Sequence, residues 1–329
     1  MQFSIQFGTM NIAYILISTQ NDTFYEQTVI SVMTLKNVMP NANVYILVDE
    51  DTKATFTGKR TLLEKYNVNI VTVGVPKEFN NRDRSRFIKT TMNRYLPKDF
   101  IYIDIDTIIC DSLETIPTNY DVGMVLNRHM KTSESPVKEF FEKNAKDLGW
   151  HHSFDDKHFN GGFMSVRGSE KSDALFKLWH ELWQESRLKT NGTVFDQTSL
   201  NEANYRLNGA ITELDGIWNC QINRNCRCLP YVHDAKILHL YTNPKMHAHD
   251  MYKPETLRSV LEETHLELDR ILANPKAAFN DVYDLNTDFY AVEMSKTPAY
   301  IQLLKAYKSG GLRFKFFNAL AKILEKLTK

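Results

Sequence analysis

Residues 100–109 read Phe-Ile-Tyr-Ile-Asp-Ile-Asp-Thr-Ile-Ile, an apolar run that delivers two carboxylates, Asp104 and Asp106. Read as a strand over 100–105, the run sets both acids on one side, because alternate side chains of a strand share a face. Two carboxylates converging in a cleft repel each other unless a cation sits between them. Oxygen ligands of this kind suit Mn²⁺ or Mg²⁺, ions that commonly bridge to phosphate oxygens. An Asp-x-Asp also arises by chance on surface strands. Here the apolar run before it implies burial, and buried anions need compensation.

Working outward, short β-rich runs occur at 12–18, 44–49, 70–75, 122–126, 163–166 and 236–240. Helix-like stretches lie between them, at 23–36, 61–66, 84–95, 169–187 and 197–206. Strands alternating with helices predict an α/β fold, with a mostly parallel central sheet flanked by helices. Ligands of such sheets bind beyond the carboxyl ends of the strands, so strand-to-loop junctions are where a site is expected. Pro254 opens a further helix with Leu257, Leu261, Leu268 and Ile271 on one face. The pattern accordingly divides the chain into an α/β domain over 1–250 and a C-terminal helical extension over 251–329.

Several junctions carry chemistry. Arg86 and Lys89 are three apart, hence on one helix face, and either counter a diphosphate or form an ordinary solvated surface. In Asn160-Gly161-Gly162-Phe163, two glycines precede a strand, where backbone can approach a ligand closely or simply turn. Asp196-Gln197 opens a helical stretch, a usual place for a capping aspartate. His239 ends the run 236–240, where an imidazole completes a metal shell or serves structure.

Taken in order, these marks resemble glycosyltransferase family 8, which includes glycogenin and bacterial lipopolysaccharide galactosyltransferases. The resemblance covers roughly residues 11–246: Arg86 ahead of the acidic strand, Tyr-Ile-Asp-Ile-Asp, Phe-Asn-Gly-Gly-Phe, Asp-Gln-Thr-Ser-Leu and Ile-Leu-His-Leu-Tyr. It implies a GT-A fold and a retaining, metal-dependent transfer of a hexose or N-acetylhexosamine from a UDP-sugar to a glycan or lipid-linked glycan. It further implies that Asp104, Asp106 and His239 hold Mn²⁺ (or Mg²⁺), and that Asn160, Asp196 and Gln197 face the donor sugar. Asp196 and Gln197 are then the candidate catalytic residues. Arg86 and Lys89, Gly161 and Gly162, and Ser18, Thr19 and Asp49 at the ends of the first two strands, would contact the donor. Two departures stand out. The first strand runs into Ser18-Thr19-Gln20-Asn21 without the acid many members carry there. The usual His-x-x-Gly-x-x-Lys-x-Trp ending is altered to His239-Leu-Tyr-Thr-Asn-Pro-Lys245, with Lys245 the expected phosphate contact.

Other readings were weighed against this one. An inverting transferase would need a carboxylate base near the acceptor, for which Asp155 or Asp156 are candidates. A nucleotidyltransferase would carry a Gly-rich phosphate loop that 18–23 does not supply. A non-catalytic nucleotide-sugar-binding relative is the third alternative. Cys220, Cys226 and Cys228 with His233 lack the usual paired zinc spacing, so ordinary cytosolic thiols are preferred. His151-His152 with Asp155-Asp156 reads as a polar loop rather than a second metal site.

The 40 basic and 40 acidic residues balance, which gives no reason to expect a nucleic-acid partner. The N-terminus has neither a basic region nor a small-residue cleavage site, so a cytoplasmic location is expected. At the other end Leu312, Phe316, Phe317, Leu320, Ile323, Leu324 and Leu327 form a stripe, with Lys315, Lys322, Lys326 and Lys329 opposite. Such a helix suits either the anionic inner face of a membrane or packing on its own domain.

Overall fold

The computed structural model describes residues 10–135, 137–190, 196–222, 226–240, 254–262, 264–276, 297–308 and 311–327. Four apolar runs become parallel neighbours: β1 (Asn11–Leu16), β2 (Asn43–Val48), β3 (Val68–Thr72) and β4 (Phe100–Ile103). The seven-stranded sheet continues through β6 (Val122–Met124), β7 (Phe163–Val166) and β8 (Ile211–Glu213), in the order β3-β2-β1-β4-β7-β6-β8. β7 pairs antiparallel with both β4 and β6, while β6 and β8 are parallel to each other. β4 and β7 are buried at every position, which is why they read as continuous apolar runs rather than alternating ones.

Helices cover the sheet: α1 (Phe24–Val38), the short α2 (Glu50–Ala54), α3 (Asn81–Thr91), α4 (Lys138–Leu148), α5 (Glu170–Thr190) and α6 (Asp196–Arg206). α5 packs against α3 and α6, burying Phe176, Trp179 and Trp183. The helix expected over 61–66 is instead a kinked 3₁₀ segment, Gly58–Tyr66, with Arg60 outside helical geometry. α3 starts earlier than its apolar pattern suggests, because the Asn80 side chain caps it by accepting from the Asp83 N–H.

The acidic strand itself is corrected by the structure. β4 stops at Ile103, and Asp104 to Asp106 form a bend into β5 (Thr107–Ile109), which belongs to a second sheet. There β10 (Ile237–His239) lies between β5, antiparallel, and β9 (Cys220–Gln221), parallel. The two carboxylates therefore converge through a bend between sheets, not through the pleat of one strand.

The chain divides into two compact units, Met1–Asn280 and Asp281–Lys329. After α7 (Leu229–Val232), the first unit includes α8 (Pro254–Arg258), which contacts α1, and α9 (Leu266–Ala273). The second contains α10 (Pro298–Lys308) and α11 (Leu312–Leu327), which pack through Tyr307 and Phe314. Leu312, Phe316, Leu320, Ile323, Leu324 and Leu327 are exposed along α11. Among the described residues, no helix is long and apolar enough to cross a membrane.

The core carries a built-in acid sensitivity. Burial pushes the pKa of His129, His158 and His180 down from 6.5 to about 4 each. His158 stacks on Phe141 and His180 lies against Phe87 and Trp183, leaving little room for a hydrated imidazolium. With folded values below unfolded ones, protons bind the unfolded chain first, so stability is lost as pH falls from 6.5 towards 4. Each imidazole should cost about 1–2 kcal/mol across that window. Thermal melting followed from pH 7 to pH 4.5 should show a steep decline; a flat profile would refute it.

Candidate active site

The parallel strands β1, β2, β4 and β6 present their carboxyl ends at one edge of the sheet. Reversed β7 brings its amino end to that same edge, so Asn160-Gly161-Gly162 abuts the acidic bend. The Asp104 N–H donates to the Gly162 carbonyl at 2.8 Å. From the second sheet, His239 arrives on β10, where it pairs with Thr107 on one side and Gln221 on the other.

Asp104, Asp106 and His239 thus offer ligand atoms that all lie within 4.8 Å of one another. His239 Nε2 is 3.2 Å from an Asp106 oxygen and 3.9 Å from an Asp104 oxygen. Its other nitrogen, Nδ1, donates to Asn219 Oδ1 at 2.9 Å, which turns Nε2 towards the acids. Burial works to lower the His239 pKa, but Asp106 and then Asp104 overcome it, and the net direction is up. Two hard oxygens and an oriented imidazole fit a divalent cation such as Mn²⁺ or Mg²⁺.

The remaining charge is compensated locally. Lys89 Nζ lies 3.0 Å from Asp104 Oδ1 and over the Tyr102 ring, and the Tyr102 hydroxyl donates to the same Oδ1. With Oδ1 engaged twice, the Oδ2 atom is the one turned towards His239. Burial lowers the Lys89 pKa, but Asp104 and Asp196 more than reverse this and hold the ammonium charged. Arg86 Nε sits 3.3 Å from Asp196 Oδ1.

Two cavities flank this cluster. One, of about 500 Å³, runs along α1 and α3 past Phe24, Gln27, Arg82 and Arg86. The other, of about 420 Å³, lies towards α4 and is lined by Asn127, Arg128, Phe140, Asn160, Gly161 and Gln197. Asp104, Asp106, Lys89 and Asp196 border both. The Asn160 carboxamide ties this wall together, accepting from the Gly162 N–H and Asn219 Nδ2. Gln197 Oε1 accepts from the Gly161 N–H at 3.2 Å.

Ser18 and Thr19 follow β1 and are bound to Asp22, whose carboxylate accepts from both hydroxyls and from the Thr19 N–H. The acid missing from the immediate end of β1 therefore reaches the same loop from three residues further on. Arg60 closes the loop by donating to Thr19 O and Ser18 Oγ. Asp49 caps α2 through the Thr52 N–H and pairs with Arg84 at 3.0 Å. Asp155 pairs with Lys157, and Asp156 accepts from the N–H and hydroxyl of Ser133, both acids in left-handed backbone. Lys245 lies outside the described residues.

Asn127, Tyr102 and Asn219 had no role in the sequence reading. Tyr102 was legible in principle, standing two residues before Asp104 in the same apolar run. Asn127 and Asn219 sit in 3₁₀ turns, where spacing carries no signal. Among the described residues, the Asp104-Asp106-His239 cluster is the one group that meets a three-ligand geometry. Burial pushes the Cys110 thiol up to about 12 and that of Cys220 further up. Neither is poised as a thiolate ligand.

No family model matches this chain, and neither does any curated protein. Solved structures do match in fold. The galactosyltransferase LgtC, in complex with donor and acceptor sugar analogs, is 14% identical over 80% of this chain and 100% of that one, with a TM-score of 0.49. Mouse xyloside xylosyltransferase 1 in its apo form is 12% identical over 71% of this chain and 97% of that one, with a TM-score of 0.48. Apo GlyE of Streptococcus pneumoniae TIGR4 is 12% identical over 82% of this chain and 64% of that one, with a TM-score of 0.49. All three are glycosyltransferases by name. At this identity the likeness is one of fold.

Proposed function

We propose that this chain is a metal-dependent glycosyltransferase that moves a hexose or N-acetylhexosamine from a UDP-sugar to a glycan or lipid-linked glycan, with retention. The observation that carries the reading is the meeting of Asp104, Asp106 and an oriented His239 between two cavities. One cavity is lined by Arg82, Arg86 and Lys89, cations that suit a nucleotide's phosphates; the other has the amide and carboxylate groups that bind sugar hydroxyls.

When bound to these three residues, Mn²⁺ or Mg²⁺ supplies Lewis-acid neutralisation of charge on the leaving nucleoside diphosphate. Lys89 and Arg86 add fixed positive charge beside the same leaving group, in a site where little solvent has to reorganise. Asn160, Gln197 and Asp196 orient the transferred sugar. Attack takes place from the leaving-group face, because Gln197 is a poor nucleophile and Asp196 is held by Arg86. Asp155 and Asp156, the residues an inverting enzyme would call on as base, are tied to Lys157 and Ser133.

The test is a panel of UDP- and GDP-sugars with Mn²⁺, read as nucleotide release with and without EDTA. Slow release from one donor, abolished by EDTA, is expected. Asp196→Asn should lower that rate by about a hundredfold while UDP affinity stays within about twofold, since it acts at the sugar and not the nucleotide. Silence across the panel together with no UDP binding would overturn the reading.

The α11 helix suggests where the acceptor is found. Its exposed apolar stripe opposes Lys315, Lys322 and Lys326, the arrangement of a helix lying on an anionic membrane surface. Each cation near such a surface contributes on the order of 1 kcal/mol. On this reading we propose a cytoplasmic enzyme held peripherally on the inner face of the membrane. A variant truncated after Gly311 should bind phosphatidylglycerol vesicles at least about tenfold more weakly; unchanged co-sedimentation would sink the membrane role.

A further inference from the structure

The α4-side cavity holds a cation that the proposed transfer does not use. Lys89 and Arg86 each have their own carboxylate, Asp104 and Asp196. Arg128 lines the cavity as well, yet among the described residues its guanidinium pairs with no acid; its backbone N–H alone is bonded, to Gln221 Oε1 at 2.8 Å. An arginine that lines a cleft with no acid partner among the described residues offers a receptor for a planar anion.

The backbone that presents it is held in an uncommon conformation. Arg128 and His129 are consecutive non-glycine residues in the left-handed region, at φ of 60° and 53°. Two such residues in succession are costly unless their surroundings fix them. Gln221 supplies that constraint three times over. Its Oε1 accepts from the Arg128 N–H, its Nε2 donates to the Leu126 carbonyl, and its own N–H donates to His129 Nε2. Gln221 is also the register partner of His239, so the turn is bolted to the strand that carries the third candidate metal ligand.

Position narrows the anion. The cavity assigned to the nucleotide runs along α1 and α3 and is lined by Arg82 and Arg86. Arg128 borders the other cavity, whose lining also includes Asn160, Gln197 and the apolar Val137 and Phe140. An anion met there belongs to a sugar, whose C–H face packs on the apolar wall while its charged substituent reaches Arg128.

We infer that Arg128 is a specificity residue that reads a carboxylate or phosphate substituent on a sugar in the α4-side cavity. The inference rests on the transferase reading for the assignment of that cavity. The anion belongs either to the acceptor glycan or to a uronic-acid donor.

Calorimetry separates the two sources. The protein loaded with Mn²⁺ and UDP is titrated with methyl glucoside, methyl glucuronide and glucose 6-phosphate. The Mn²⁺-loaded protein is titrated in parallel with UDP-glucose and UDP-glucuronate. An anionic ligand should bind at least about tenfold more tightly than its neutral counterpart, as expected for a charge-assisted pair. A preference in the first series identifies the acceptor, and one in the second identifies the donor sugar. Arg128→Gln should bring anionic and neutral ligands within about twofold of each other, and Arg128→Lys should keep part of the preference, because charge survives without the fork. UDP affinity should stay within about twofold in both variants, as neither touches the nucleotide cavity. Equal affinities in both series, a preference that survives in Arg128→Gln, or a tenfold loss of UDP affinity there would each overturn the inference. Wild-type protein that binds no UDP with Mn²⁺ would sink the transferase reading instead. The glucuronide and glucoside titrations without UDP would then still decide the role of Arg128.

Discussion

Asp106→Ala should abolish EDTA-sensitive nucleotide release, lowering it by roughly a thousandfold. The carboxylate sits 3.2 Å from His239 Nε2, so its loss removes one of three candidate ligands and the one nearest the imidazole. Asp104 does not compensate, because its Oδ1 is already taken by Lys89 and Tyr102. The fold should survive: the Asp106 carbonyl, which accepts from the Leu240 N–H, is backbone and remains in the variant. Mn²⁺ binding followed by electron paramagnetic resonance should fall with the rate, while the melting temperature changes by no more than a few degrees. Wild-type Mn²⁺ affinity in the variant would remove Asp106 from the ligand set.

Gly162→Ala is the second large effect, and it comes from a residue with no functional group. A Cβ placed there would lie 2.3 Å from His239 Cε1 and 2.8 Å from its Nδ1, with Asn160 Oδ1 at 2.9 Å. No flexible chain end is available to yield. His239 is buried on β10 and held by Asn219, and Asn160 is bound by two donors. The imidazole must therefore be displaced, and Mn²⁺ affinity should fall by about 10- to 100-fold, with a stability loss of about 1–3 kcal/mol from overpacking. Gly161→Ala is the matched control. Its added carbon would meet Lys89 Nζ at 3.6 Å, an ordinary contact, so metal affinity should hardly change. Equal behaviour of the two variants would show that His239 is not the group Gly162 protects.

The contrast between these neighbouring glycines marks how far the sequence could be read. Asn160-Gly161-Gly162 was visible as a place of close approach, but nothing in it distinguishes the glycine against His239 from the one facing Lys89. That difference is a tertiary distance. Helix α4 was missed, although Phe141, Ala145 and Leu148 recur at helical spacing and are buried. Its apolar signal is interrupted by exposed Phe140, which faces the cavity instead of the core. Segment 61–66 has a helix-like pattern, whereas in the structure it belongs to a 3₁₀ run in which Arg60 departs from helical geometry and reaches the β1 loop. A long-range hydrogen bond of this kind leaves no local trace.

Seven strand runs and the chemistry they carry are written in the local pattern, whereas β5, β8 and β9, only two or three residues long, leave no such signal. Apolar β-branched runs can be satisfied only by burial in a sheet, and the acids and imidazole at their ends are fixed by residue type. How these ends meet depends on the packing of distant segments. Reversal of β7 swings Asn160 to Gly162 onto the edge where the parallel strands finish. The bend at Asp104–Asp106 passes the chain into a second sheet, and β10 returns 130 residues later to set His239 against both acids. Strand direction and sheet membership depend on pairing energies between distant segments, and so do the orienting amides of Asn219 and Gln221. Local sequence encodes which groups must be buried or charged; the packing of the whole chain selects which of them face one another.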